Sequence, residues 1–399
     1  MTILSLNLVQ RMIFFLIFFF QEKVVNAFFR LCTINIHDGG SRNLNPLFER
    51  FFVPWCEVAV INECFLWKKK NAVETAKNHG FALEIQASPG GRDLGILAKL
   101  DLLSIRRGNF SETGTAHGFH HGVLHCIVQQ EKEQVHILAT HLTPHSAARR
   151  RLEARKLIAI VQNLEAADAK AAVVVAGDFN TLSPLDKAQH TQQFLHILQQ
   201  NPRLRAKFLV TPEPESTIDY MPMRILLTDL VDVAYSHASD NSNEQPHPTV
   251  PTERHADKLH AIPMRLDYVL LNAQAAAILL DSDGRAIHIH TQIDEFTKQA
   301  SDHYPLVVDL PKSALTQRTK LNVSSNDHRQ NHYDLADRND YRHEHNKKRA
   351  FIHKRNNHQR QYFPRDNKLE APSLTSPEKD GTNFLQDNTM RRRKATSHE

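Results

Sequence analysis

Three segments of this sequence end or begin an apolar, β-rich run with residues that could do chemistry. Val58-Ala59-Val60-Ile61-Asn62 leads to Glu63, and Val173-Val174-Val175-Ala176-Gly177 leads to Asp178 and Asn180. Asp302-His303 stands directly before Tyr304-Pro305-Leu306-Val307-Val308. Carboxylates are the hard oxygen ligands that an octahedral magnesium ion takes, one or two from the protein, with waters and a substrate phosphate oxygen filling the shell. In a layered α/β fold, strand ends far apart in sequence converge on one rim. Taken singly, each feature has an ordinary explanation: Ser-Asp-His as a turn or cap, Gly-Asp as a loop, a strand-terminal Glu as a solvated charge. Their joint occurrence in order carries the information.

The elements that must position them are short strands alternating with longer amphipathic runs, with no repeat of 20 to 50 residues, which points to one mixed α/β domain. Strands are expected at Leu31–Ile36, Val58–Asn62, Gly95–Leu100, Gly122–Val128, Val135–Thr140, Ala171–Ala176, Leu266–Leu271 and Pro305–Leu310; His288 and His290 alternate along another. The clearest helix follows Pro144. Ser146 can cap it, Leu157, Ile158, Val161 and Leu164 recur on one face, and Arg149, Arg150, Arg151, Glu153 and Arg155 charge the other. Further helices are expected at Asn71–His79, stopped by Gly80, at Asp186–Gln200 and at Met223–Ala234.

In order along the chain stand Thr33-Ile34-Asn35, Asn62-Glu63, Thr140-His141-Leu142, Gly177-Asp178-Phe179-Asn180, Arg265-Leu266-Asp267-Tyr268 and Ser301-Asp302-His303. This series resembles the motifs of the endonuclease/exonuclease/phosphatase superfamily, which includes deoxyribonuclease I. The resemblance runs from Leu31 to Leu310, and the Gly-Asp-Phe-Asn and Ser-Asp-His elements are its most specific members. It implies a four-layered α/β sandwich, two β-sheets packed face to face with helices outside. It also implies a mechanism, in-line attack of water on phosphorus. His303 would be the base and Asp267 would hold its imidazole. Glu63 would be the principal metal ligand, helped by Asn35 and Asp302. Asp178 and Asn180 would orient the nucleophile and a phosphate oxygen, and His141 would donate where negative charge develops. The implied cofactor is Mg2+, with Mn2+ as the alternative ion.

Several positions depart from the pattern. Asn62 stands where many relatives carry Gln, keeping the amide on a shorter arm. Ala98-Lys99 replaces a Ser-Arg ending, leaving a cation without the planar fork. Thr181-Leu182-Ser183-Pro184 follows Asn180 in place of the His-containing continuation associated with abasic-site endonucleases, which argues against a repair nuclease.

Composition bounds the rest. With 399 residues of which 41% are hydrophobic, the chain holds enough apolar sequence for a large core, which excludes disorder as a description of the whole. Residues 312–399 carry 19 Lys+Arg against 11 Asp+Glu, a surplus of +8, and lose apolar periodicity; they are expected to be a mostly disordered basic tail that binds polyanions. Residues 1–27 read as a signal peptide, from the run Met12–Phe20 and the small Ala27, and nine apolar residues are too few to span a bilayer. That leaves a catalytic domain at 28–311 and a secreted, monomeric protein. The sequons at Asn109 and Asn322 fit secretion; a membrane anchor, or nuclear targeting through Arg391-Arg392-Arg393-Lys394, are the alternatives.

Cys32, Cys56, Cys64 and Cys126 lack zinc spacing and are either disulfide-bonded or buried thiols. Of 25 histidines, seven fall in the tail, and His120-His121 reads as loop. Three function classes follow: a nuclease or related phosphodiesterase acting on nucleic acid, a lipid or inositol-phosphate phosphoesterase, and a non-catalytic binding protein on the same scaffold. The intact set of eight candidate residues disfavours the third.

Overall fold

A computed structural model describes residues 28–113, 118–130, 133–210, 217–238, 246–253, 262–280 and 288–311. The expected signal peptide, the tail with its sequon at Asn322, and Arg391 to Lys394 lie outside the described residues.

The strands are β1 (Phe28–Asn35), β2 (Val58–Asn62), β3 (Phe81–Gln86), β4 (Leu94–Lys99), β5 (Ser104–Arg107), β6 (Val123–Gln130), β7 (Glu133–His141), β8 (Ala172–Asp178), β9 (Leu209–Val210), β10 (Thr217–Ile218), β11 (Val231–Asp232), β12 (Asp267–Leu271), β13 (His288–Thr291) and β14 (Leu306–Pro311). One six-stranded sheet runs β13-β14-β1-β2-β4-β3, the other β11-β12-β8-β7-β6-β5, and β9 with β10 forms a small ribbon. Pairing is antiparallel except at β1/β2 and β7/β8, which are parallel.

Side chains alternate across each sheet with period two. Val58 and Val60 of β2 join Ile137 and Ala139 of β7, and Val174 and Ala176 of β8, in the core between the sheets. Ala59 and Ile61 turn the other way, onto Phe48, Phe51, Phe52, Trp67 and Phe81. All seven residues of β8 are buried, as a strand covered on both faces requires.

The helices are α1 (Ala72–Asn78), α2 (Ala147–Ala167), α3 (Gln192–Gln200), α4 (Pro202–Phe208), α5 (Met221–Leu226), α6 (Val233–Ala238) and α7 (Ala273–Leu279), and residues 45–55 add a helical segment with a π turn at its centre; α1 covers the outer face of the first sheet, α2 and α5 that of the second, and α7 closes the end of the core between them. Ser146 accepts from Arg149 N and caps α2, whose Leu157, Ile158, Val161 and Leu164 pack on Leu138, Val173, Val175 and Leu270. The result is the four-layered sandwich of two face-to-face sheets. No helix among the described residues is long and apolar enough to cross a membrane. All four cysteines are buried with free thiols.

Two expected helices are not continuous. The run from Asp186 to Gln200 breaks at His190, because Thr191 turns its hydroxyl to Phe194 N and starts α3 afresh, while Asp186 is held back by Arg265 at 3.1 Å. The run from Met223 to Ala234 stops after Leu226; Val231 and Asp232 pair with Leu271 and Leu270 at the sheet edge, and Asp232 takes a 2.8 Å bond from Arg265. Tertiary pairing outweighs helix propensity in both places. Strands β3 and β5 have no counterpart in the sequence-based expectation. The first alternates buried and half-buried residues, and the second is a polar edge strand, which a hydrophobicity pattern does not register.

The two sheets are stitched by one side chain. The amide of Asn62, wholly buried, donates to Thr140 O at 2.8 Å and accepts from Asp178 N at 2.8 Å. Asn62→Ala leaves a buried carbonyl and a buried N–H without partners, which should cost roughly 2–5 kcal/mol. Urea unfolding of the variant against the parent should show this as a lower midpoint at unchanged slope.

Candidate active site

Strand register alone brings the first group together. In β7 and β8, His141 stands opposite Asp178, and in β8 and β12, Asp178 stands opposite Asp267. In β1 and β2, Asn35 stands opposite Asn62, so Glu63 emerges on the same rim one residue later.

Asp178 is the hub. Its carboxylate accepts from Asn35 Nδ2 at 3.2 Å, from the backbone N of Asn180 at 2.8 Å and from Asn180 Nδ2 at 3.3 Å. His141 Nε2 approaches it at 3.4 Å and His303 Nε2 at 3.8 Å. His303 turns its other nitrogen, Nδ1, to Asp267 Oδ2 at 2.7 Å. The two residues expected from the sequence to act as base and orienter are thus in contact, buried on one rim with the carboxylate of Asp178 beside them.

The oxygen side of the site is built on Glu63. Asn35 Nδ2 lies 3.4 Å from its Oε1, while Oε2 accepts from Asp38 N at 3.0 Å and from Arg92 Nη1 at 2.7 Å. Arg92 also pairs with Asp38. Glu63 adopts φ +62, His37 +45, Asp38 +52 and Asn180 +47, four non-glycine residues in the left-handed region around one rim. Such strain gathers where a scaffold over-determines a site. Glu63 offers the hard carboxylate oxygen that a magnesium ion takes together with waters, and Asn35, which faces it through Nδ2, carries a second hard oxygen in Oδ1, which accepts from His37 N at 3.0 Å and keeps one lone pair, so the two fit such an ion. Among the described residues no group of three or more His, Cys, Asp and Glu is arranged to hold a metal. Asp302 turns its Oδ2 to His37 Nδ1 at 3.2 Å, and its Oδ1 lies 3.2 Å from Ser301 Oγ.

The structure thus brings the eight candidate residues to one rim, seven around Asp178 and Glu63 and Asp302, itself buried, with its carboxylate against His37 and near enough to His303 and Arg92 to favour the charged form of both. Three further residues belong to the neighbourhood: His37, Arg92 and His121, whose ring stacks on that of His141 with centroids 4.3 Å apart. The first two sit in loops after β1 and before β4, and His121 precedes β6; no run of apolar residues frames them, so sequence pattern did not mark them.

The electrostatics follow from burial and proximity. Burial would raise Asp178, but the charge of His303 and the hydrogen bond and charge of His141 more than offset it, and the group is held well below the usual carboxylate range. Burial would lower His303, yet Asp267 and Asp178 together push it up to about 10. Asp267 is raised by burial, with His303 offsetting part of the effect. As held here, His303 is an imidazolium lying between two carboxylates.

Residues 32–303 match the profile of the Endonuclease/Exonuclease/phosphatase family. No curated protein sequence matches the chain. Among solved structures, truncated TDP2 of Caenorhabditis elegans is 14% identical, with a TM-score of 0.46, covering 71% of this chain and 97% of its own. TDP2 of D. rerio, complexed with single strand DNA product, is 13% identical with a TM-score of 0.48, over 71% of this chain and 99% of its own. An endonuclease/exonuclease/phosphatase from Bacteroides vulgatus is 11% identical with a TM-score of 0.48, over the same shares.

His303 has its folded-state pKa raised above the ordinary histidine value, so it stabilises the fold fully below about pH 6.5, and this contribution is lost as pH rises through about 10. Stability of His303→Gln relative to the parent, from denaturation in the presence of a chelator, should therefore show its largest deficit at pH 6 and a shrinking one by pH 10. A deficit independent of pH would mean that the imidazole is neutral throughout.

Proposed function

The chain belongs to the endonuclease/exonuclease/phosphatase family, and from that premise we propose that it hydrolyses a phosphoester by in-line attack of water, with a divalent metal ion, Mg2+ or alternatively Mn2+, as cofactor. The observation that carries the reading is the chain of contacts from buried Asp267, His303, Asp178 and Asn35 to half-buried Glu63, each within 4 Å of the next. A nuclease or related phosphodiesterase is the substrate class we favour, with residues 28–311 as the catalytic domain of a secreted monomer.

Asn35 and Glu63 would hold the ion, which when bound polarises a phosphoryl oxygen and adds positive charge to an acidic rim. His303 accepts a proton only in its neutral form, which a cation held by Glu63 and Asn35 would favour, since like charges raise each other's cost. Asp267 keeps Nδ1 protonated, so that Nε2 receives the proton of the attacking water. Asp178 and Asn180 orient that water and the phosphate, the amide of Asn180 being fixed by a 2.9 Å bond to Leu142 O. His141 has its Nδ1 without a hydrogen-bond partner among the described residues, available to the leaving side of the phosphorus. Asp302, whose carboxylate faces His37, would assist Asn35 and Glu63 at the ion.

Glu63→Ala and His303→Ala should each lower turnover by about 10²–10⁴-fold in a protein that stays folded, and a chelator should do the same reversibly. A panel of plasmid DNA, RNA, sphingomyelin and inositol phosphates, each with magnesium, separates the substrate classes. Hydrolysis of the last two alone would replace the nuclease reading, and no hydrolysis of any would leave a binding protein on this scaffold. Turnover unchanged by chelator would overturn the metal.

The basic residues 312–399 have a separate part in the proposal: attraction to polyanions without a share in the chemical step. Their deletion should leave turnover of a small phosphodiester nearly unchanged, while weakening binding to long nucleic acid at low salt and flattening its salt dependence, because fewer counterions are released. Equal losses on both substrates would count against this division.

A further inference from the structure

His121 is 5% exposed, and neither ring nitrogen has a hydrogen-bond partner among the described residues. A neutral imidazole always carries one N–H donor and one lone-pair acceptor. Leaving both buried and unpaired is destabilising, and a phenylalanine would fill the space without that cost. A buried histidine kept under those conditions calls for a partner that arrives from outside.

Its surroundings say where that partner lies. The ring stacks on His141 at 16° and meets His120 edge-on at 4.4 Å. It is close enough to Asp178 and Arg92 to feel the charge of each. The seat is built from both sides. Glu153 of α2, itself fully buried, accepts from His120 N at 2.6 Å through one carboxylate oxygen and from Thr143 N at 2.8 Å through the other, so a single side chain ties the loop carrying His121 to the loop following His141. Gly122 fixes the approach: at φ +116, a Cβ there would lie 2.6 Å from Glu112 O.

We propose that His121 is a substrate-binding residue, a neutral N–H donor to a non-bridging oxygen of the phosphoryl group on the His141 side of the site. This rests on the phosphoester reading above. Burial and the neighbouring His141 and His120 pull the His121 pKa down to about 2, so it carries no charge at working pH and neither gives nor takes a proton in the reaction. It is therefore distinct from His303 and His141 in role, contributing binding rather than proton transfer.

The test uses the full-length protein and three variants, His121→Phe, His121→Asn and His121→Gln. Without ligand, His121→Phe should melt at or above the parent temperature, since it removes two unpaired polar atoms. With magnesium, calorimetric titration of inorganic phosphate should show binding weakened by roughly tenfold to a hundredfold in His121→Phe, the range expected for a hydrogen bond to an anion. One of the two amides should recover part of it, Asn if Nδ1 donates and Gln if Nε2 does. On whichever ester is turned over, His121→Phe should raise KM by a larger factor than it lowers kcat. If the parent binds phosphate and His121→Phe binds it equally well, the assignment is overturned and the phosphoester reading stands. A marked fall in melting temperature in all three variants would also overturn it, since the ring's partners would then be internal. If the parent binds no phosphate and hydrolyses none of the esters, both fall together.

Discussion

The structure depends on one buried carboxylate. Asp178 is 2% exposed, and an ionised group so placed is tolerated only when donors surround it. Its partners come from across the fold: Asn35 from β1 of the first sheet, His141 from β7 of the second, Asn180 from the turn that follows β8, and, as an ion pair, His303 from the segment before β14. The backbone N of Asp178 is bonded to Asn62, at the end of β2. Satisfying Asp178 therefore requires the ends of both sheets to meet on one rim. The packing of the sandwich and the assembly of the site are one constraint met twice.

That meeting point is crowded, and the backbone yields to it. Gly177, at φ +140, brings its Cα so close to β7 that a Cβ would lie 2.0 Å from Thr140 O. Only glycine permits β8 to continue to Asp178 in register with His141. Beyond the strand ends, Glu63 and Asn180 adopt left-handed conformations that cost energy for residues with side chains. The layered core supplies what offsets it, since the strands leading to both positions are apolar and buried along their length.

Much of this was legible in the sequence, for an identifiable reason. Glu63 and Asp178 end runs of β-branched residues, and a strand that closes on a polar motif can be read from hydrophobic pattern alone. Pattern does not give register. Nothing in the sequence says that Asp178 stands opposite both His141 and Asp267, or that β1 and β2 run parallel. The residues it missed, His37, Arg92 and His121, lie in loops where no periodicity exists, and their relevance is set by partners distant in sequence: Asp302, Glu63 and His141. Asp302 is a placement that pattern likewise could not give: its carboxylate faces His37, a loop residue distant in sequence.

The motifs divide labour between neighbours, which explains why they were recognisable as units. Asn62 ties the sheets while Glu63 faces the site; Gly177 admits the close approach while Asp178 carries the charge. Ser301 donates to Asn35 O at 2.6 Å, pinning its segment to β1 so that His303 can reach Asp267. Arg265 is the clearest case. Near enough to Asp267 to share its motif, it points away from the rim, bonding Asp186 and Asp232 at 2.8–3.1 Å with its guanidinium 4.4 Å from the ring centre of Tyr268. Two carboxylates hold that buried cation firmly ionised, the attraction to Asp232 and Asp186 exceeding the penalty of burial. The loop after β8 and the edge strand β11 are thereby locked to the start of β12, and Asp267 inherits a fixed position from a residue that takes no part in the chemistry. A substitution at Arg265 would thus act on the site by loosening the strand that delivers Asp267, although the guanidinium contacts none of the reacting groups.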